Sequence, residues 1–337
     1  MNKTLLPALR RLRLHGLLPA MLGLLSALTA PSAFAQASSY PERPVRLVVP
    51  FAAGGAVDIV ARVIAQQAAL ELGQPLVIDN RGGAGGAIGA AAVAKATPDG
   101  YTILMGTSST HGTNSATMKN LPYDPIRDFA PVAELVSMPF ILVANPALPV
   151  FGVGELLQYA RSHPGQLTFA SWGQGSSNHL ATELFMSMAN INMTHIAYKG
   201  ASPAMMDVIS GQVDLTFDTF ASSNPYLEGK KVKLLATGGM KRAKDHETTP
   251  TIGESGVPGY SAGTWFAIFA PTGTPSAAIA RLQAAFTKAT ENPEVRARFA
   301  SMGIVPAAAG PEELRKTVVS EIEKWKTVVR DRGLTFE

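Results

Sequence analysis

The sequence predicts an α/β fold in two parts, each built on a parallel sheet with helices against it. Three observations predict this. Strand-like and helix-like segments alternate from residue 45 onward, the order of β-α-β crossovers and so of parallel pairing. The chain has 337 residues, and the 302 left after an expected leader are more than one hydrophobic core usually serves. No repeat, charge block or low-complexity stretch divides the chain, so it is expected to pass between the two parts along ordinary strands.

The leader comes first. Residues 1–35 contain Lys3, Arg10, Arg11 and Arg13 but no Asp or Glu, then an apolar stretch from Leu17 to Ala30, then Pro31-Ser32-Ala33-Phe34-Ala35. Basic start, apolar middle and an Ala-x-Ala end are the parts of a secretory signal peptide, with cleavage expected after Ala35. The apolar stretch is roughly 14 residues, short of the roughly 20 that span a bilayer. The whole chain carries 29 Lys+Arg against 25 Asp+Glu, a formal charge of +4. All of that excess lies in the leader, which leaves 25 of each sign on the remainder. A neutral body offers little general field for a polyanion, so no nucleic-acid partner is expected and an anion must be held by local donors. The sequence contains no Cys, so an exported product must be stabilised by its core and can use neither disulfides nor thiol chemistry.

The expected elements follow in order. After Tyr40-Pro41-Glu42-Arg43-Pro44, the run Val45–Val49 suits a buried strand. Pro50–Val57 is a small-residue loop, and Asp58 is placed to N-cap the next helix. In that helix Val60, Ile64, Ala68 and Leu72 recur every four residues, and Gly73 stops it. Leu76–Ile78 is a second strand. A glycine loop, Gly82–Gly86, leads into an Ala-rich helix ending near Ala96, and Pro98-Asp99-Gly100 turns into a strand over Tyr101–Met105. Strands are expected at Leu142–Ala144, Leu167–Ala170, Val213–Phe217, Val232–Thr237 and Phe266–Phe269. Helices are expected at Glu155–Ser162, from Ser177, and at Ser276–Thr290, Pro293–Met302 and Glu312–Arg332.

Catalytic and cofactor motifs are incomplete. Gly82-Gly83-Ala84-Gly85-Gly86-Ala87-Ile88-Gly89 has no Gly-Lys-Ser/Thr and never spaces its glycines as G-x-G-x-x-G. Gly173-Gln174-Gly175-Ser176-Ser177-Asn178 has Asn178 in place of the third glycine and no acidic residue about twenty positions on. There is no G-x-S-x-G elbow. His179 and Glu183 lie four apart on an expected helix without an H-E-x-x-H, so no metal site and no cofactor are expected. Asp207 and Asp214 read as solvated or capping residues, whereas Asp218, just past an apolar strand, is a candidate ligand contact. Met186, Met188, Met205 and Met206 read as core filler.

One layout recurs: strand, small-residue loop, helix N-terminus, at Phe51–Asp58 and at Ser171–His179. Helix N-termini present free N–H groups and partial positive charge, which receive a carboxylate without Lys or Arg. Two such loops, one in each half, suit a binding cleft.

Tyr40–Phe51 with Gly54-Gly55 and Asp58 closely resembles the opening of the Bug-type receptors, the substrate-binding proteins of tripartite tricarboxylate transporters. The resemblance continues through Asp79–Gly86, Pro98–Tyr101, Leu121–Pro125, Ala170-Ser171 with Gly173, Gly175 and Ser176, His179–Ala181, Tyr198–Gly200 and Gly211–Asp214. Pro250-Thr251, Pro258–Tyr260, Ala270–Pro275 and Lys324-Trp325 extend it over essentially the whole chain after the leader. It implies a periplasmic-binding-protein fold of type II: two α/β lobes with a ligand cleft and crossing hinge strands. On that basis residues 36–138 with 262–337 form lobe 1, and 139–261 form lobe 2. It further implies a monomeric, non-enzymatic periplasmic receptor whose partners are a small organic carboxylate and integral membrane transporter subunits. A receptor reporting to a signalling partner, or a two-lobed hydrolase or transferase, are the alternatives.

The matching first loop supplies Phe51, Ala52, Gly54, Gly55, Val57 and Asp58, and the second Ser171, Trp172, Gly175, Ser176, Asn178 and His179. Main-chain groups, small hydroxyls and bridging waters there are implied to hold the ligand carboxylate. Thr107 and Ser108, with Asp218 and Thr219, stand where family members vary their ligand choice. This chain has Ala53 where Pro is frequent and Val57 where Thr or Ser is frequent. Losing that hydroxyl makes the cleft more apolar and favours a ligand of aromatic or longer aliphatic character, dicarboxylates included. Trp172 could stack on such a ligand or serve packing alone.

Overall fold

The computed structural model describes residues 40–243 and 246–336, so the expected leader and its cleavage after Ala35 lie outside the described residues. Strands β1 (Val45–Val49), β2 (Leu76–Asn80), β3 (Thr102–Thr107), β4 (Phe129–Pro139), β10 (Gly263–Pro271) and β11 (Val305–Ala309) form a first sheet in the order β11-β4-β10-β3-β1-β2. Strands β5 (Ile141–Ala144), β6 (Thr168–Ser171), β7 (Thr194–Ala197), β8 (Leu215–Asp218) and β9 (Lys233–Thr237) form a second, ordered β7-β6-β8-β5-β9. Each sheet with its helices is one lobe of a two-lobed α/β fold.

The helices are α1 (Ala56–Leu72), α2 (Ala87–Ala94), the short α3 (Asn114–Thr117), α4 (Val153–Ser162), α5 (Ser177–Ala189), α6 (Ala201–Ser210), α7 (Phe220–Glu228), α8 (Ser276–Glu291), α9 (Pro293–Ala300) and α10 (Pro311–Asp331). The four-residue repeat in α1 buries Val60, Ile64, Ala68 and Leu72, and Gly73 closes the helix at φ 73°, its amide bonded to Ala69. α1 and α8 cover one face of the first sheet through Ile64, Leu282 and Phe286, and α2 and α10 the other through Ala90, Val93, Leu314 and Val318. In the second lobe Leu156, Phe185 and Phe217 share the larger core, while Ala204, Met205, Val208 and Phe220 pack opposite, against Ile141 and Val143. Among the described residues no helix is long and apolar enough to cross a membrane.

The β-α-β reading holds where crossovers exist: β1 pairs parallel with β2 and β3, and β6 with β7 and β8. The sheets are nevertheless mixed. β10 runs antiparallel to β3 and β4, β11 to β4, and β5 to β8 and β9. The chain changes sheets between β4 and β5 and returns between β9 and β10. At that crossing Gly238 donates to the Phe140 carbonyl (2.7 Å), Phe140 to Ala262 (3.2 Å) and Ala262 to Gly238 (2.8 Å). A strand that leaves one sheet for the other has no crossover helix to turn it parallel, so it enters antiparallel.

Other departures from the sequence reading have local causes. Helix α1 begins at Ala56 with Gly55 as its N-cap, so Asp58 lies in the first turn. Strand β4 carries Pro131 and Pro139, and β11 carries Pro306; proline within a run masks a strand in the sequence. Asp214 is not merely a solvated or capping residue: it accepts from the Thr168 amide (2.7 Å) and hydroxyl (2.8 Å), tying β6 to the start of β8. Met186 and Met205 are core, but Met206 is 43% exposed on the outer side of α6.

Candidate functional site

The first and second loops face each other across the two lobes. After β1, Phe51 is buried and its ring meets Trp172 of the second lobe edge-on at 6.2 Å. The Ala52 amide donates across the lobes to the Lys199 carbonyl at 3.2 Å. Val57 is buried. Asp58 accepts from the Gly54 amide (3.0 Å), from Arg62 (2.9 Å) and from Asn80 (3.0 Å), which itself donates to the Phe51 carbonyl (3.1 Å). Burial pushes the Asp58 carboxyl upward, but Arg62, the Gly54 amide and Asn80 outweigh it and hold it below the usual carboxylate range. Asp58 therefore shapes the first loop with both oxygens engaged.

The second loop is wired to itself. Asn178 Oδ1 accepts from the Trp172 amide (3.1 Å) and the Ser176 hydroxyl (2.8 Å), and its Nδ2 donates to Phe217 O (3.0 Å) at the end of β8. The Ser176 hydroxyl is also 2.6 Å from the Gly173 carbonyl. The Gly175 amide, at φ 75°, donates to His179 Nδ1 at 3.1 Å. That assigns the His179 proton to Nε2, which faces Glu183 Oε1 at 3.5 Å. The His179 ring stacks on His195 at 3.7 Å, and His195 Nε2 lies 2.5 Å from the Ser171 hydroxyl. Burial first, then His179 beside it, pushes His195 down to about 3. It is therefore held neutral near pH 7. Among the described residues no three His, Asp or Glu converge as a metal-ligand set.

The segment after β3 closes a third side. Ser108 shares a hydrogen bond with Thr264 of β10 (2.7 Å), and the Thr107 hydroxyl accepts from the Ser109 amide (3.2 Å). Ser109 then reaches the second lobe. Its hydroxyl lies 3.1 Å from the Ser177 hydroxyl and accepts the Ser177 amide at 2.9 Å, at the N-terminus of α5. Thr113 donates to the Gly175 carbonyl at 2.8 Å. Asn114 Nδ2 reaches Gly85 O (3.2 Å) and Tyr123 (3.2 Å), while its Oδ1 is buried without a partner.

Asp218 is fully buried at the end of β8, with Ser222 on one oxygen (2.6 Å) and Ser223 on the other (2.9 Å); Thr219 shares a hydrogen bond with Ser222 (3.1 Å). Burial raises the Asp218 carboxyl to about 6 against the pull of those donors. Its oxygens are committed to the start of α7 in this closed arrangement. Trp172 is packed between Phe51 and Phe140, and its indole N–H is buried without a partner.

Phe51, Ala52, Trp172, Gly175 and Ser176 are thus brought together across the lobes, with Thr107 and Ser108 behind them. Ser109, Thr113, Asn114 and His195 were not singled out from the sequence: Ser109 and Thr113 bridge the lobes, Asn114 bonds Gly85 within lobe 1, and His195 backs Ser171 within lobe 2. The hydroxyl-rich run Ser108-Ser109-Thr110 directly after a strand was the available signal; nothing local marks His195, which arrives from the edge strand β7. A bowl of about 570 Å³ lined by Met118, Tyr123, Arg127 and Lys326 opens beside this interface rather than within it. With the loops in contact, the cleft is closed.

The sequence pattern of the family described as tripartite tricarboxylate transporter family receptor matches residues 60–334. Protein BugT of Bordetella pertussis is 35% identical over 315 residues, covering 93% of this chain and 97% of BugT. Rhodopseudomonas palustris Rpa4515, solved with adipate, has a TM-score of 0.85 at 38% identity and covers 88% of this chain and 99% of its own. MatC from Rhodopseudomonas palustris, solved with bound malate, has a TM-score of 0.83 at 38% identity and covers 86% of this chain and 100% of its own.

Proposed function

The chain belongs to the tripartite tricarboxylate transporter receptor family, a family of solute-binding receptors, and on that premise we propose that it captures a small organic carboxylate between its lobes and delivers it to membrane transporter subunits. The observation that carries the reading is that two loop–helix junctions, one from each lobe, border the same interface, where Phe51 of the first loop meets Trp172 of the second. One is the start of α1 at Gly55, the other the start of α5 at Ser176, and neither helix is capped by its N-cap side chain. Such termini hold a carboxylate through main-chain N–H groups and the aligned peptide dipoles. The adipate and malate bound by the two similar structures support a carboxylate as the ligand class.

In this mechanism the lobes part at the Phe140–Gly238–Ala262 crossing and expose both loops. The amides of Gly54, Gly55 and Gly175 and the hydroxyls of Ser171 and Ser176 then exchange their contacts within the closed loops for the ligand carboxylate. Contacts to both lobes bias the equilibrium toward closure. Lobe 1 comprises 36–138 with 262–337 and lobe 2 comprises 139–261, divisions supported by the two places where the chain changes sheets. Val57, Phe51 and Trp172 favour a ligand with an apolar body between its polar ends, and Thr107, Ser108, Asp218 and Thr219 discriminate its far end. The mature protein begins after Ala35 in the periplasm; N-terminal sequencing that returned Met1 would refute that.

A thermal-shift panel of malate, adipate, longer aliphatic diacids and aromatic carboxylates, with amines and sugars as controls, tests the ligand class, because stabilisation follows occupancy. Stabilisation by carboxylates with an apolar body is the expected result. A silent carboxylate set together with a responding amine or sugar overturns the class. Consumption of the ligand on long incubation would point to catalysis instead.

A further inference from the structure

The glycine loop 81–86 has no phosphate chemistry, and the carboxylate-binding loops do not account for it. We propose that it is the closing face of the clamp, where main chain of one lobe meets main chain of the other and the absence of Cβ atoms sets how far the lobes close. The inference rests on the two-lobed capture reading and assigns that reading's motion to particular atoms.

The contacts come from both sides of the interface. A Cβ on Gly82 would stand 2.8 Å from the Lys199 carbonyl of the second lobe, and one on Gly85 2.7 Å from the Gln174 carbonyl. Reciprocally, a Cβ on Gly173 would stand 2.7 Å from the Gly85 nitrogen, and one on Gly200 3.0 Å from the Ala52 nitrogen. Four glycines in three loops, two per lobe, thus meet opposing backbone where a methyl group would fall inside normal contact distance. A side chain in the way could rotate aside; a backbone carbonyl or amide cannot, so relief requires the lobes to separate. The same interface is bridged by Ala52 to Lys199, Ser109 to Ser177 and Thr113 to the Gly175 carbonyl. These short polar links form only when the loops come within about 3 Å, the approach that the glycines permit.

Gly82 is the site for a test because it does not have the positive φ of Gly85, so an alanine there adds bulk without left-handed strain; its tightest contact is the Lys199 carbonyl across the lobes (2.8 Å), ahead of the Ala52 nitrogen in its own lobe (3.1 Å). The natural chain has no Cys, which allows closure to be read directly. The pair Ser109→Cys and Ser177→Cys replaces hydroxyls that lie 3.1 Å apart, within reach of a disulfide only when the lobes are shut. In that background we compare the oxidation rate of the parent pair with Gly82→Ala, Thr113→Val and Gly154→Ala, the last at a site where a Cβ meets nothing within 4 Å. Circular dichroism and urea midpoints establish that each variant is folded. The expected result is rapid cross-linking in the parent pair, at least tenfold slowing by Gly82→Ala, severalfold slowing by Thr113→Val, and no change with Gly154→Ala. If Gly82→Ala does not fold, Thr113→Val, which adds no atoms against the backbone, carries the decision. Equal rates in the folded variants, or no cross-link in the parent pair, overturn the proposal. Malate and adipate are then added to the parent pair and to the wild-type chain in the thermal-shift panel. If no carboxylate accelerates cross-linking or stabilises the fold while the glycine effect persists, carboxylate capture fails and the closing face stands.

Discussion

Acidification should unfold this protein partly through one buried imidazole. His111 is fully enclosed in lobe 1, stacked on Phe269 at 3.7 Å and edge-on to Phe129 at 4.7 Å. Its Nδ1 shares a hydrogen bond with Thr110 at 2.9 Å, and its Nε2 has no partner. Burial pushes the ring down to about 3, whereas an unfolded His titrates near 6.5. The folded state therefore binds fewer protons than the unfolded state between those values, and stability falls as pH falls from 6.5 towards 3. Between pH 7 and pH 5 the loss from this one group is about 2 kcal/mol. At an m-value of about 2 kcal/mol/M this lowers the urea midpoint by roughly 1 M. The perturbation is His111→Leu, similar in volume and unable to titrate, with midpoints measured at both pH values. Other titrating groups, His195 and Asp218 among them, are common to both proteins and cancel in the comparison. Whatever its stability at pH 7, the variant should lose about 2 kcal/mol less than wild type on going to pH 5. Equal losses would mean that His111 is not held neutral and would refute the reasoning.

Three further perturbations have defined outcomes. Asp218 has the opposite sign to His111: its folded value of about 6 lies above the unfolded 3.8, so its contribution to stability grows as pH falls from 6 to 3.8. Asp218→Asn removes that gain and should make the loss between pH 7 and pH 4 steeper by about 2 kcal/mol, read from urea midpoints. Gly73→Ala puts an alanine at φ 73° where a Cβ would touch nothing, so conformational strain alone should cost about 1 kcal/mol, seen as a lower thermal midpoint without loss of ligand response. Tyr260→Phe removes a buried 2.9 Å bond to the Ala181 carbonyl and should cost about 1–2 kcal/mol; an unchanged midpoint would show that the bond contributes nothing net.

The C-terminal stop of α1, the bounds of α8 and α10 to within a residue or so, and the positions of the two small-residue loops were legible in the sequence because their signals are local, whereas α6 and α7 were not read. The α1 repeat ends in Gly73, whose left-handed φ is what a helix C-terminus requires, and both small-residue loops lie between a strand and a helix as read. The long strand β4 was hidden because Pro131 and Pro139 argue locally against a ladder position, while nine residues of β10 pair with it and hold it in place. Likewise His195 carries no pattern of its own. It enters the site because β7 pairs with β6 in a register that sets His195 beside Phe169, a fact of topology rather than of spacing.

The two loops also show where a sequence signal and its meaning separate. Asp58 was read as a helix cap from its position before the α1 repeat and as a ligand contact from the resemblance of its loop. Its actual partners, Arg62 and Asn80, lie four residues later on the same helix and at the end of the neighbouring strand, so the carboxylate fixes loop shape and is neutralised in doing so. On the proposed function that neutralisation would help a carboxylate ligand, since an unpaired Asp58 at the mouth of the first loop would repel its charge. The same logic applies to the glycines of 81–86, whose composition alone suggests a phosphate cradle. Their function is set by what stands opposite them, the carbonyls of Lys199 and Gln174, and acceptors of that sign are what an anion site avoids. Opposing carbonyls exclude an anion and admit only close backbone approach, which is the contact a closing face needs.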